Sequence, residues 1–558
     1  MNDKIVKIDL SSDRLICVAS DLVDGHDYIG ALKMLNKNAR INGNDSDSYM
    51  LYAEIYDDLG LFEKSINNWY AYLDFNKDDG LYEAFEGLAV SYMNLGLDQI
   101  SAYYYGKLLA VTGEELDAQT KREIMDSFLR REPSPLKFVY PPELADCSDI
   151  ISDGIDKMRN GEYDGAIEEF DKVDENNGAY LSARNYIAMC NIIADKCEEA
   201  EAECLAVLKK YPDNVQALTT LAAVKTEQKK SKESADLARE LLKLNVTSSD
   251  DIYKIATVCC ENGLHEEAYT LFCKLDEELE YDPTIMFFKA VSAFNCGKIE
   301  QSFDAFDRLI TVNPSAVVAK YYYELARKAK DNGEQLTLGY FYRLPKEKKE
   351  QNLKLLSAVD MLSESDFKKL CGAVDITECI KWCFDEYEGR DVEDLQFIAA
   401  SCAIRAGLDE LVRSMLLNAF LSERFKVRVL TLLCGRNVDD SFGIVVCHQF
   451  KRVSFRAISV GRKKRKNFVF AYARIAGHFS VLDNVNSDKF ASTAEKVYYK
   501  LEQKGALDAV TDIPSLSAVL FHLSGVKEPK LKKHELPVFF EANPKKIDKL
   551  MTILTEDI

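Results

Sequence analysis

The chain has 558 residues, 47% hydrophobic and 29% charged, with 92 acidic against 71 basic residues and a formal charge of -21. Such a length exceeds what one core can hold, so several domains or an extended array are implied, and the composition excludes disorder as the default state. The acidic excess sets most of the surface against nucleic acid and anionic membranes, and no segment approaches the ~20 apolar residues of a membrane span.

The first residues, MNDKIVKIDLSSDR, hold no continuous apolar stretch, so neither a secretory leader nor a membrane anchor is expected there. The fifteen cysteines are odd in number, and Cys190, Cys204, Cys259 and Cys296 stand where a helix takes a small apolar side chain. Both features suit a reducing compartment, and the expectation is a cytoplasmic protein.

From residue 25 onward a period sets in. A turn glycine followed by an aromatic, a small and then a large residue stands in GEYDGAIEEFDKV, and the order recurs in GHDYIGALKML, GLFEKSINNW and GLDQISAYYY, with the small position at Ala31, Ser65, Ser101, Ala166, Ala200, Ala235, Ala268 and Ser302. The steps are 34, 36, 65, 34, 35, 33 and 34, one of them double. Paired helices approach closely only where their contact residues are small, so a repeated small residue marks a repeated helical hairpin.

This pattern resembles the tetratricopeptide repeat, a helix-turn-helix unit of 34 residues. Residues 181–214 supply Ala188, Ala200 and Pro212 at matching positions, 283–316 supply Ala290, Gly297, Phe306 and Pro314, and 46–79 supply Ala53, Tyr56, Gly60 and Trp69. In the copy at 216–248, Lys230 falls where the turn glycine belongs. The double step coincides with a helix expected over 116–131 and the segment EPSPLKFVYPPE, whose prolines break the superhelix.

The expected organisation is therefore an array of about three repeats over 1–131, a proline-rich break at 132–146, and a second array of about five repeats plus a helix at 316–331, ending near 332. Beyond GYFYRLPKEKKEQNLKLL the period fades into a helical extension over 333–440, in which 392–420 reads as one more hairpin with Gly407 at its turn. Then DDSFGIVVCHQFKRVSFRAISV alternates Val453, Phe455 and Ala457 with Ser454 and Arg456, the signal of a β-hairpin. Helical spacing returns afterwards, with Asn543 and Pro544 opening the last helix. The fold class is mostly α: a helical-hairpin solenoid, a helical extension and a small mixed α/β module at 441–558.

That module is basic. From Ser441 to Leu482 there is no acidic residue, while Lys451, Arg452, Arg456, Arg462, Lys463, Lys464, Arg465, Lys466 and Arg474 give nine positive charges; the remaining chain carries 62 basic against 92 acidic residues. Docking of this patch on the chain's own acidic solenoid or on an acidic partner needs only charge complementarity. Nucleic acid would use the same cations, with Phe468 and Phe470 for stacking, but the acidic remainder repels it. A solvated loop is the plain alternative.

No phosphate-cradling loop and no HExxH motif occur, and Cys447, His448 and His478 lack the spacing of a zinc site. Cys371, Cys379, Cys383 and Cys402 read as core thiols. No catalytic constellation, metal or cofactor is expected. The resemblance implies a concave face lined by the first helix of each unit, here Asn185, Tyr253, Thr257, Cys260, Phe287, Val291, Phe294, Tyr321 and Leu325. Only Asn185 suits a carboxylate clamp; the rest is apolar and fits an amphipathic helix or extended peptide, unless neighbouring helices or the chain's own C-terminal part fill it. The function expected is a non-enzymatic interaction scaffold; a regulator whose basic module contacts nucleic acid and an enzyme with its site in 340–558 are the alternatives.

Overall fold

The computed structural model describes residues 9–76, 80–112, 118–124, 147–387, 392–436, 440–481, 487–525 and 531–555. The proline-rich segment lies outside them, and of the helix expected over 116–131 only Ala118–Ile124 is described. Among the described residues the fold is helical apart from one two-stranded sheet. The chain forms two compact units, one made of 1–131 together with 345–558, the other of 132–344.

The turns show how the repeat is built. His26, Gly60, Gly96, Gly161, Asp195, Lys229, Gly263 and Gly297 each sit in the left-handed region between paired helices, at steps of 34, 36, 65, 34, 34, 34 and 34. In every case the next residue donates its N–H to the carbonyl five residues back, at 2.7–2.9 Å. This is the bond that closes a helix on a left-handed residue, where glycine alone is unstrained.

The turn of the degenerate copy falls on Lys229 (φ 60°), one residue before the position expected from the sequence. The small contact position of that copy is likewise Ser234, fully buried, with Ala235 only partly so. Ser234 Oγ donates to the Ala222 carbonyl at 3.0 Å, as Ser101 does to Ala89 (2.7 Å) and Ser302 to Ala290 (2.7 Å). A serine at this position thus satisfies its hydroxyl on the facing helix while keeping the helices close, which alanine does by size alone.

In the first unit the paired helices are Ser12–Asp24 with Tyr28–Ile41, Ser46–Asp58 with Phe62–Asn76, and Leu81–Asn94 with Asp98–Thr112. The same unit contains the hairpin Val392–Ala406 and Asp409–Leu417, turned at Gly407 (φ 71°) as expected. The sheet follows Glu423–Gly435: β1 (Asp440–Val446) pairs antiparallel with β2 (Gln449–Phe455), Val446 opposite Gln449, around a two-residue turn at Cys447 and His448. Val453 and Phe455 face inward and Ser454 outward, as the alternation predicts. Helix Arg465–Phe479 then crosses Glu423–Gly435 at Gly477, where a Cβ would lie 2.6 Å from the Thr431 Cα.

The second unit stacks five helix pairs, Ser148–Arg159 with Tyr163–Phe170 through Pro283–Asn295 with Ile299–Val312, and closes with Val317–Asn332. Gly333, left-handed at φ 66°, ends that last helix.

The turn geometry makes two substitutions act in opposite directions. Lys229→Gly relieves left-handed strain at an exposed site and raises stability by about 0.5–1 kcal/mol. Gly263→Ala at φ 69° costs about 1–2 kcal/mol although the added Cβ meets nothing closer than 4.0 Å. Urea midpoints of the two variants, expected to move up and down respectively, check this.

Candidate protein-binding faces

A face of the first array, formed by the second helices Phe62–Asn76 and Asp98–Thr112 with Tyr92 of the first helix Leu81–Asn94, is occupied by the tip of the β-hairpin. The Tyr70 and Tyr104 hydroxyls both donate to the His448 carbonyl at 2.7 Å, and the Tyr92 hydroxyl lies 3.0 Å from His448 Nδ1. Tyr70 is also 2.9 Å from the hydroxyls of Tyr92 and Tyr104, and the Tyr92 and Tyr104 rings stack within 4° of parallel. Three hydroxyl protons serve these five close contacts: with both carbonyl bonds made only the Tyr92 proton remains, for the Tyr70 oxygen or for His448 Nδ1, and the Tyr70–Tyr104 approach carries no proton. All three tyrosines titrate well above their usual range because they are buried, so the hydroxyls stay neutral donors.

Apolar packing surrounds this polar point. Val445, Phe450, Leu417 and Ala419 join Ile66, Trp69, Tyr72 and Leu73 in one core cluster. Ala419 N–H donates to Asn67 Oδ1 at 2.9 Å. Asp74, 7% exposed at its side chain, lies between Arg413 (3.1 Å) and Arg452 (3.0 Å). The Arg452 guanidinium also donates to the carbonyls of Leu73 (3.3 Å) and Asp74 (2.9 Å), near the negative end of helix Phe62–Asn76. A lone buried carboxylate costs several kcal/mol in lost hydration, which two guanidiniums offset. The strand passes so close that a Cβ on Gly443 would sit 2.4 Å from Asp74 Oδ1.

The turn itself is strained. Cys447 (φ 50°) and His448 (φ 57°) take the conformation that asparagine and glycine usually provide. Cys447 N–H donates to Glu423 Oε1 at 2.7 Å, and the fully buried Lys426 donates from Nζ to the Val445 carbonyl at 2.7 Å. Burial pulls the Lys426 ammonium below its usual range. Burial, with the Lys426 charge second, also lowers the His448 imidazole, and Glu423 opposes this.

Of the basic residues, Arg452 is the one that meets an acidic side chain of the array in the bonds just described. Lys451 Nζ lies 3.4 Å from the Val481 carbonyl, and Arg456 pairs with Asp488 at 3.4 Å. Arg462, Lys463, Lys464, Arg465 and Lys466 are exposed; Lys464 lies 3.7 Å from Asp508, and the Lys463 carbonyl accepts from Tyr498 at 2.7 Å. Phe468, named above for base stacking, is fully buried against Tyr498. Cys379, Cys383 and Cys402 are core residues, and burial pushes the Cys379 thiol up to about 12. Among the described residues no three His, Cys, Asp or Glu side chains cluster as a metal site; the His478 side chain lies outside the description.

The second array carries a different occupant. After Gly333 the segment 334–344 runs without helix or strand and turns tightly at Tyr342, where the Arg343 N–H donates to the Phe341 carbonyl at 2.7 Å; Leu336, Leu338, Tyr340, Tyr342 and Leu344 are the less exposed positions and Thr337, Gly339, Phe341 and Arg343 are exposed. Asn295 grips its main chain twice: Nδ2 donates to the Leu338 carbonyl (2.9 Å) and Oδ1 accepts from the Leu338 N–H (2.8 Å). Tyr340 OH is 2.8 Å from His265 Nδ1, and the Tyr342 ring lies 4.8 Å from that of Phe287.

The residues expected on this concave face divide. Phe287 is fully buried among Phe288, Phe306, Tyr322 and Tyr342, and Phe294 is buried as well. Tyr253 is half-buried on Phe272 and Phe288, and Tyr321 lies edge-on to Tyr322. Asn185 Oδ1 accepts from Thr220 Oγ1 at 2.6 Å. One open groove of about 320 Å³ remains, lined by Met189, Ile193, Thr220, Lys254, Thr257 and Glu261 among others, with Ile193 54% exposed. Of these only Thr257 belongs to the set expected from the sequence; the remainder recur at three- and four-residue spacing on successive first helices, a signal the sequence carries.

Eight left-handed turns at steps of 34 or 36 residues, one of 65 aside, with paired helices and small contact residues decide the architecture. The chain is a tetratricopeptide-like helical solenoid. No protein-family model matches it. A mouse protein, DnaJ homolog subfamily C member 3, is 26% identical over 219 residues, covering 38% of this chain and 39% of that protein, so the chain spans well under half of that relative. Similar solved structures are yeast Tom70 (13% identity, 97% of this chain and 96% of that one, TM-score 0.27), a tetratricopeptide repeat protein from Parabacteroides merdae ATCC 43184 (16%, 50% and 98%, 0.23) and the P58(IPK) TPR domain (11%, 71% and 98%, 0.19). Scores this low carry no weight for the fold, which rests on the repeat geometry. Among the described residues no helix is long and apolar enough to cross a membrane.

The lowered imidazole gives the hairpin contact a pH signature. The unfolded chain, with histidine near ~6.5, binds the proton more tightly than the docked turn, so this stability is present above that pH and declines as pH falls toward the folded value. His448→Ala keeps the carbonyl held by Tyr70 and Tyr104 but removes the ring, and should shrink the loss of melting temperature between pH 7.5 and 5.5. An unchanged profile would contradict the assignment.

Proposed function

We propose that the chain is a non-enzymatic protein–protein interaction scaffold that receives a peptide or protein partner on the concave face of its second array. The observation that supports this reading most is the open groove between helices Tyr180–Ile193, Val215–Glu227 and Ser249–Glu261, where apolar Met189 and Ile193 stand beside polar Thr220, Lys254 and Glu261. Apolar anchors supply binding free energy by leaving water, and the flanking polar groups set orientation. Burying one such anchor contributes about 1.5–3 kcal/mol. In the first array, the face of helices Phe62–Asn76 and Asp98–Thr112 already holds the chain's own hairpin.

Contact with an anionic polymer through Arg462–Lys466 remains the weaker reading. These cations are exposed, but the buried Phe468 cannot stack on bases.

A photo-crosslinking residue placed at Ile193 or Thr257 of the full chain, expressed in cells, is expected to give discrete adducts with a partner. The same residue at exposed Lys232 should not. Lys254→Glu should lower the Ile193 adduct yield at least about fivefold, the effect of losing ~1 kcal/mol. Equal adducts from all three positions, or none from the groove, would refute the proposal.

A further inference from the structure

The strap at 334–344 has the form of a bound ligand. Its inward residues follow a two-residue alternation, Leu336, Leu338, Tyr340, Tyr342 and Leu344, the side-chain period of a peptide laid along a surface, with one tight turn at Tyr342. The Asn295 side chain also bonds the Tyr340 hydroxyl, but at Leu338 it meets the main chain, supplying one donor and one acceptor as a neighbouring strand would. Such a grip is indifferent to side-chain identity; selectivity falls to the positions that take Leu338, Tyr340 and Tyr342. Leu338 is 2% exposed and Leu344 4%, whereas Phe341 between them is 58% exposed, so the site accepts every second side chain.

We propose that residues 336–344 are a built-in competitor: the face formed around Asn295, His265 and Phe287 is a binding site for an extended segment of a partner protein with leucine or tyrosine at alternate positions, and the strap must leave for that segment to enter. This deepens the scaffold reading above and rests on it. Because the strap is covalently attached, it acts at an effective concentration of order millimolar, so an outside segment with the same contacts competes poorly until the strap is weakened. The Asn295 amide and the inward positions are shared, so strap and partner exclude one another.

The probe is a fluorescent synthetic peptide of residues 334–344, EQLTLGYFYRL, titrated into the full chain. A full chain carrying Leu338→Asp and Tyr342→Asp should bind it at least about tenfold more tightly than the wild type. Adding Asn295→Ala should weaken that binding at least about fivefold. A peptide of the same composition with inward and outward residues interchanged should not bind.

Hydrogen exchange on the wild type gives a measurement that does not depend on a variant's folding. Saturating peptide should speed exchange of the chain's own Leu338 amide while Pro283–Asn295 stays protected. Unchanged exchange at saturation, or equal binding of the interchanged peptide, overturns the proposal. So does a dimeric wild type whose Leu338 crosslinks to Phe287 of another copy, which would make the occupant a second copy. The synthetic peptide needs no cellular partner, so failure here is distinguishable from failure of the crosslinking at Ile193.

Discussion

The His448 carbonyl, held between the hydroxyls of Tyr70 and Tyr104, ties the first array to a segment more than 340 residues away in sequence. Three tyrosine hydroxyls cannot be buried on a covered helical face without partners, and the hairpin tip supplies the acceptor they need. The dependence runs both ways. A two-residue turn made of cysteine and histidine is unfavourable by itself, and it persists where Tyr70, Tyr104 and Glu423 hold its main chain. Asp74 with Arg413 and Arg452 adds a charged latch at the edge of the same surface.

In each unit a helical face is covered by chain from the same unit, and the chemistry of the two occupants differs. The first array takes a β-turn fixed by hydroxyls, a buried ion group and a continuous apolar cluster. The second takes a non-helical strap fixed by one amide and alternate side chains. A hairpin enclosed by core residues is costly to remove, whereas a strap with every second residue in water is much less so. Structural closure and ligand-like occupancy are thus two outcomes of the same helical geometry.

The repeat was legible in the sequence because its steric requirement recurs: a small residue where helices touch and a left-handed residue where they turn. Serine at 234 and lysine at 229 weakened the signal in one copy, since a hydroxyl can replace a methyl group and a lysine can tolerate the turn at a cost. The strap was also written there, as LTLGYFYRL, but a two-residue period at the end of a 34-residue one is easily read as the pattern fading. Phe287 and Phe294 could equally suit a groove or a core from helical spacing alone, and in the structure both are buried.

The meeting of Tyr70 with His448 had no local signature, because nothing in either segment encodes which distant segment it meets. The basic window showed that a positive module exists, and Arg452 meets Asp74 from within it. The five consecutive cations that dominate the composition stand exposed at the start of helix Arg465–Phe479, opposite in sign to what that helix end favours.

The central claim is that the hairpin makes the first array and residues 345–558 of the same unit one cooperative body. The chain has two tryptophans: Trp69 belongs to the cluster against the hairpin, and Trp382 is buried in helix Ile376–Asp385 of the same unit. Urea unfolding followed by fluorescence in Trp382→Phe and Trp69→Phe chains isolates each reporter in turn. The account predicts coincident midpoints, both moved downward together by Tyr70→Phe combined with Tyr104→Phe; separate transitions, or a shift confined to the Trp69 signal, would contradict it.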